Sequence, residues 1–301
     1  MKGRDSSYPT DISYNNFSES SEPTTCRENL NLFESFSAQR NSSFGVCLRN
    51  FPCPEDQYSL HINCGGKRTT IEGITFEDDQ DRGGKAKFVP QRPIWGTSST
   101  GVFWNYTPSY RDYIANNVSV LRMKNSELYT SARLSPLSLT YYARCFRNGN
   151  YTVKLHFSEI TIRGHRSFRS VGRRIFDIYI QEKLVWKDFE IKKEAHGVDK
   201  ELIKESKAVE VKNKTLEIRF HWSGKGTYYP ESGAYGALIS AISIEPEFKP
   251  PHGSKSKVPF VVGASVGASV LFLIFLIFFV LWWKGCLDSK ISREKGATKL
   301  L

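Results

Sequence analysis

The chain has 301 residues, with 42 Lys+Arg against 31 Asp+Glu and a formal net charge of +11 at pH 7. Hydrophobic residues make up 40% of it and aromatics 13%, and the mean hydropathy is −0.40. These values exclude a fully disordered chain and a multi-span membrane protein, and they leave room for one or two domains with a real core.

Residues 1–57 are rich in Ser, Asn, Thr and Pro and show little periodicity, which predicts loop and linker. One stretch differs. Asp11-Ile-Ser-Tyr-Asn-Asn-Phe17 has the pattern of a last leucine-rich-repeat unit, which cannot bury its own face without neighbours. The first 30 residues hold no apolar run of the kind a secretory leader needs, so the chain is expected to be a piece of a longer protein.

From residue 58 to residue 247 the pattern is strand-like. YSLHINC (58–64), NYTVKLHFSEI (150–160) and ALISAISIEP (237–246) alternate, RRIFDIYIQ (173–181) sets Phe176, Ile178 and Ile180 on one side, and ELYTSARL (127–134) is a further strand candidate. VEVKNKTLEIRFHW (209–222) reads as a hairpin turning at Asn213-Lys214. Helical periodicity is short or absent, so these residues predict a mainly β domain, an antiparallel β-sandwich. Residues 248–257 form a Pro- and Lys-rich stalk.

Residues 259–283 contain no charged side chain. At about 1.5 Å per helical residue the run spans roughly 37 Å, enough to cross a hydrocarbon core of about 30 Å as a single transmembrane helix. Trp282 and Trp283 close it where interfacial rings belong. The tail, residues 284–301, carries Lys284, Lys290, Arg293, Lys295 and Lys299, whereas the approach on the other side carries Lys249, Lys255 and Lys257. The positive-inside rule then predicts a single-pass plasma-membrane protein with a short cytosolic tail and an extracellular N-terminal domain. Six glycosylation sequons, at Asn16, Asn41, Asn105, Asn117, Asn150 and Asn213, all precede the run and agree with that orientation. On that side of a membrane nucleic acid is not an expected partner.

Five cysteines precede the apolar run, an odd number that leaves one thiol unpaired in an oxidising compartment. Cys47 and Cys53 could close a small loop, and Cys64 and Cys145 could tie the first strand to a later one; spacing alone leaves both pairings open. No CxxC or HxxxH accompanies them, so no metal site is read, and no cofactor motif is present. Ser223-Gly-Lys-Gly-Thr227 lacks the GxxxxGK[ST] spacing of a phosphate loop, and a kinase's Gly-rich, HRD and DFG motifs are all missing.

Three features remain as candidate chemistry. Glu77, Asp78, Asp79 and Asp81 form an acidic cluster, read as a solvated loop with glycosidase or calcium chemistry as the alternatives. Glu159 lies in a strand run and reads as a buried hydrogen-bonded or ion-paired group before a catalytic one. Trp95, Trp104 and Tyr106 belong to an aromatic-rich stretch between Pro90 and Ala115; such rings serve either as core packing or as platforms for sugars and peptides. The basic run RGHRSFRSVGRR (163–174) reads as a solvated loop that would draw polyanions if exposed.

At LHINCGG (60–66), WGTSSTGVFW (95–104), YTSARLSPLSLTYYARC (129–145) and NGNYTVKLHFSEI (148–160) the sequence resembles plant leucine-rich-repeat malectin receptor-like kinases. The likeness continues through GRRIFDIYIQ (172–181), SGAYGALISAISIEP (232–246) and WWKGC (282–286). It implies a malectin-like β-sandwich, similar to carbohydrate-binding modules, followed by one membrane span. It also implies a receptor-like protein that binds cell-wall oligosaccharide or a partner receptor and is not an enzyme as given. A truncated receptor acting as decoy or co-receptor is the alternative, and a carbohydrate-active enzyme the less favoured one. In the animal protein of that family, rings following the F-x-E strand touch a glucose disaccharide. Here Phe157-Ser158-Glu159 is followed by Ile160, Thr161 and Ile162. The late loop with an acidic contact is similar to Tyr228-Tyr229-Pro230-Glu231, so the resemblance points to Tyr129, Tyr228, Tyr229 and Glu231 as ligand contacts.

Overall fold

The computed structural model describes residues 9–15, 30–31, 53, 55–92, 94–103, 113–117, 123–163, 172–227 and 235–251. The strands in chain order are β1 (Thr10–Asp11), β2 (Leu30–Asn31), β3 (Leu60–Cys64), β4 (Thr69–Ile71), β5 (Ile74–Asp79), β6 (Ala86–Arg92), β7 (Trp95–Thr100) and β8 (Ile114–Asn116). A short 3-10 helix, Ser126–Tyr129, precedes β9 (Ser131–Ser135), β10 (Ser138–Ala143), β11 (Gly149–Phe157), β12 (Arg174–Ile180) and β13 (Lys183–Phe189). After one helical turn, α1 (Ile191–Glu194), come β14 (Leu202–Val211), β15 (Leu216–Gly226), β16 (Ala237–Ile239) and β17 (Ala241–Pro246).

Two six-stranded sheets carry the fold. The first runs β13-β12-β15-β10-β7-β6 and the second β14-β11-β17-β3-β5-β4. The alternation in the sequence explains why they stack. Val153, Leu155 and Phe157 of β11, with Ile242 and Ile244 of β17, meet Phe176, Ile178 and Phe220 of the first sheet in one continuous core. At one end of it Phe157, Phe176, Phe189 and Phe220 pack at ring-centroid distances of 4.9–6.3 Å, within the range where edge-to-face rings attract. A small sheet, β16-β9-β8, lies beside the two. Among the described strands the pairing is antiparallel except for β3 with β5 and β1 with β2.

The structure corrects several sequence expectations. The 127–134 run is not one strand; its first half is the 3-10 helix. The 237–246 run breaks at Ser240 into β16 and β17, which belong to different sheets. Within residues 1–57, expected to be linker around one repeat-like unit, β2 pairs in parallel with β1, Thr10 opposite Leu30. Cys145 is bonded to Cys53 rather than to Cys64, and Cys64 is a buried free thiol. The reason is local: Cys64 points into the core at the end of β3, while Cys53 precedes Gln57, whose backbone bonds Cys145 and Arg147 on both sides. Cys47 lies outside the described residues. Among the described residues no helix is long and apolar enough to cross a membrane, and residues 259–283 lie outside them.

Candidate functional site

Strand β11 spans the second sheet, and its two ends differ. Where it exits, Glu159 turns inward and is 1% exposed. Its Oε2 accepts from Arg174 Nε at 2.8 Å, and its Oε1 accepts from Thr161 N and Oγ1 and from Ile162 N at 2.9–3.1 Å. Arg174 Nη1 donates to the carbonyl of Gly236 at 2.7 Å and Nη2 to Thr161 Oγ1 at 2.6 Å. Burial alone would push the Glu159 carboxyl up, but the Arg174 guanidinium and the Ile162 amide outweigh it and hold it below its ordinary range. The pair ties the ends of β11, β12 and the segment entering β16 together. Gly236 is required there: it sits at φ +82°, and a Cβ would collide with the Ser135 carbonyl. Arg173, beside Arg174, pairs with Glu190 at 2.6 Å, and Arg163 pairs with Asp199 at 2.6 Å. The crevice over these groups, lined by Ile162, Gly172, Arg173, Glu190 and Lys192, has no room for a water-sized molecule.

A second buried pair sits under the small sheet. Asp79 accepts from Arg133 Nε at 3.0 Å, from Tyr141 OH at 2.6 Å and from Gly65 N at 3.2 Å. Neighbouring carboxylates are committed as well: Glu77 accepts from Trp95 Nε1 at 2.8 Å, and Asp81 is paired with Lys87 at 2.7 Å. The acidic cluster is therefore not a solvated loop. Its first members lie in β5 facing alternate sides, and Asp79 is a fully buried anchor. At the ends of the basic run Arg163 and Arg174 are ion-paired, Arg174 fully buried, while Arg173 pairs with Glu190 and stays largely exposed; residues 164–171 lie outside the described residues.

Tyr129 and Trp95 are fully buried and present no ring face to solvent. Trp95 stacks on Tyr141 in the core. Tyr129 OH meets His156 Nδ1 at 3.2 Å and donates to Glu201 Oε1 at 3.1 Å. His156 is driven down to about 4, first by burial and then by the charges of Lys154 and His61. Trp104, Tyr106, Tyr228, Tyr229 and Glu231 lie outside the described residues. Of the sequons, Asn117 is buried and donates to Asp199 Oδ1 at 3.2 Å, whereas Asn150 and Asn213 are exposed; Asn16, Asn41 and Asn105 lie outside the described residues.

Where β11 begins, a groove of about 500 Å³ opens between Arg147, Asn148, Gly149, Asn150, Glu247 and Phe248. Nothing in the alternation pattern announced it, because it is made by Phe248 folding back across Gly149.

The two stacked sheets, with a buried ion pair locking one loop end and a groove at the other, define a β-sandwich domain. Residues 58–242 match the malectin domain model, and the chain belongs to the malectin family. It is 42% identical over 298 residues to a probable leucine-rich-repeat receptor-like serine/threonine-protein kinase of Arabidopsis thaliana, covering 97% of this chain and 29% of that protein. A second such kinase from the same plant is 43% identical over 311 residues, covering 96% and 29%. The chain thus spans under a third of the length of the curated relatives it matches. Among solved structures it is similar to the plant receptor-like kinase ANX2, at TM-score 0.40 and 16% identity over 62% of this chain and 46% of that one. It is also similar to a β-glucuronidase of Bacteroides uniformis, at TM-score 0.43 and 17% identity over 63% of this chain and 18% of that one.

Proposed function

We propose that the chain is the malectin-domain part of a receptor-like, single-span plasma-membrane protein of a plant, with residues before 259 outside the cell, and that the sandwich binds a cell-wall oligosaccharide without turning it over. The observation that carries this reading is the malectin match over residues 58–242 in a chain that aligns along nearly its whole length with receptor-like kinases. The commitment of Glu159 to Arg174 and of Asp79 to Arg133 supports a binding role over a hydrolytic one, since a glycosidase needs a carboxyl pair free to move protons. The ligand contacts in this reading come from the 228–231 loop, Tyr228, Tyr229 and Glu231, which leads into the locked Gly236 turn.

The test is an array of glucans and acidic wall oligosaccharides probed with the full chain in nanodiscs. Binding to at least one class is expected, with affinity reduced about tenfold or more by Tyr228→Ala with Tyr229→Ala. A second reading, partner-receptor binding, is favoured by Leu184 and Val185 on β13 and Ile203 on β14, large apolar side chains exposed on the outermost strands of both sheets. Absence of glycan binding, together with capture of a receptor ectodomain abolished by Leu184→Lys, selects that reading.

A further inference from the structure

The groove at the start of β11 has walls of mixed chemistry. Phe248 supplies a half-buried aromatic ring. The ring lies so close over Gly149 that a Cβ there would stand 2.6 Å from its Cε1, and Tyr58 and Tyr151 pack against it edge-on. Glu247 pins the segment that carries the ring. Its N–H donates to the Asn150 carbonyl at 3.0 Å, and its Oε1 accepts from Thr152 Oγ1 and from Ala208 N, both at 2.8 Å. Asn148 Oδ1 accepts from Lys214 N at 3.0 Å, which ties the hairpin tip to the same groove. A flat ring flanked by amides, a carboxylate and the guanidinium of Arg147 suits a sugar, whose C–H face packs on the ring while its hydroxyl and acetamido groups meet polar partners.

Asn150 is itself a wall of this groove and heads the sequon Asn150-Tyr151-Thr152. It is exposed, and among the described residues its side-chain amide makes no hydrogen bond. We propose that the groove is the seat of the chain's own N-glycan, with the innermost N-acetylglucosamine on Asn150 packed against the Phe248 ring. The proposal rests on the reading of residues before 259 as extracellular.

The shape of the groove decides between a tethered sugar and a free one. It is an open channel of about 500 Å³, not a cleft that encloses its occupant. Pockets that capture free small ligands bury about 70–90% of them, which an open channel does not achieve. A sugar bonded to Asn150 needs no such enclosure, because the linkage holds it at an effective concentration on the order of millimolar. Weak contacts then keep it seated. The ring is already fixed by Gly149, Tyr58 and Tyr151, so seating the sugar costs little side-chain freedom. The seated glycan also covers the end of edge strand β14, where Glu210 and Val211 pair with Asn150 and Gly149, and closes that end to pairing with other chains.

The test uses the full chain, made through a secretory pathway restricted to oligomannose glycans and held in nanodiscs. An endoglycosidase trims every glycan to one N-acetylglucosamine, and thermal midpoints are compared for wild type, Asn150→Gln, Phe248→Leu and the double variant. The fall caused by Asn150→Gln should be larger in the wild-type background than in the Phe248→Leu background by about 2–4 °C, the shift that one ordinary ring contact gives in a domain of this size. Any intrinsic cost of Asn150→Gln appears in both backgrounds and cancels. A second readout serves if Phe248→Leu fails to fold: the acetyl methyl resonance of the Asn150 sugar, labelled with carbon-13, should be displaced by the ring current from that of an exposed N-acetylglucosamine. Equal falls in the two backgrounds, or an undisplaced methyl resonance, would overturn the proposal. Glycan at Asn213 with none at Asn150 overturns it too and leaves the extracellular reading standing, whereas no glycan at any sequon removes both.

Discussion

Glu159 and Arg174 show why a buried ion pair is hard to remove from one side. Each is almost completely dehydrated, and each satisfies the other's charge plus a backbone end. Arg174→Met leaves an unpaired buried carboxylate and is expected to cost about 3–5 kcal/mol, seen as a thermal midpoint lower by roughly 10 °C. The double variant Glu159→Gln with Arg174→Met should lose less than the sum of the two single changes, because it strands no charge; additive losses would mean the two residues act separately. His156 offers a test of opposite chemistry. It is neutral when folded and titrates near 4 against 6.5 when unfolded. Its contribution is present above pH 6.5 and lost as pH falls towards 4, by at most about 3 kcal/mol at 1.36 kcal/mol per pH unit. Urea denaturation of the wild type should thus show falling stability from pH 7 to pH 4, and His156→Phe a flatter profile.

At the scale of elements, the Cys53–Cys145 bond closes 92 residues of sequence. The chain-entropy account gives about 4–5 kcal/mol for such a loop, of which 2–5 kcal/mol is commonly realised. Reduction or Cys53→Ser should lower the denaturation midpoint accordingly, while Cys64→Ala should not change the disulfide count. Burial, with the Asp79 charge adding to it, pushes the Cys64 thiol up, so it should resist thiol reagents until the domain unfolds. Among the strands that could be read in advance, the longest have one wetter face. β11, β12 and β15 alternate because their inner residues meet the core and their outer ones meet water or partial cover. β7 (WGTSST) and β10 (SLTYYA) escape the pattern for a physical reason: both faces are buried, the outer one by Ser98 and Thr140 under Asn31 and by Tyr142 against Phe88, so no alternation survives. The site was less legible than the fold. Period 2 places Glu159 next to a strand but cannot reveal that Arg174 lies across from it. The partner of Cys145 depended on a bridge between Gln57 and Phe146 that no spacing encodes.

At the scale of the molecule, burial sorts the sequons. Asn117 is enclosed and hydrogen-bonded, so the folded domain has no room for a glycan there, whereas Asn150 and the hairpin tip at Asn213 are open. Glycopeptide mass spectrometry of the chain expressed through a secretory pathway should find glycan at Asn150 or Asn213 and none at Asn117; occupancy at Asn117 in folded protein would contradict the enclosure. The groove beside Asn150 has a further consequence through Phe248. Its ring stands edge-on to Tyr58, 6.3 Å between centroids, and to Tyr151 at 5.5 Å. The segment leading into β3 and the segment leaving β17 therefore lie side by side, and the Cys53–Cys145 bond rivets the first of them to the same floor. A domain whose two main sheets begin and end at adjacent segments is one that a longer polypeptide can carry as an insert.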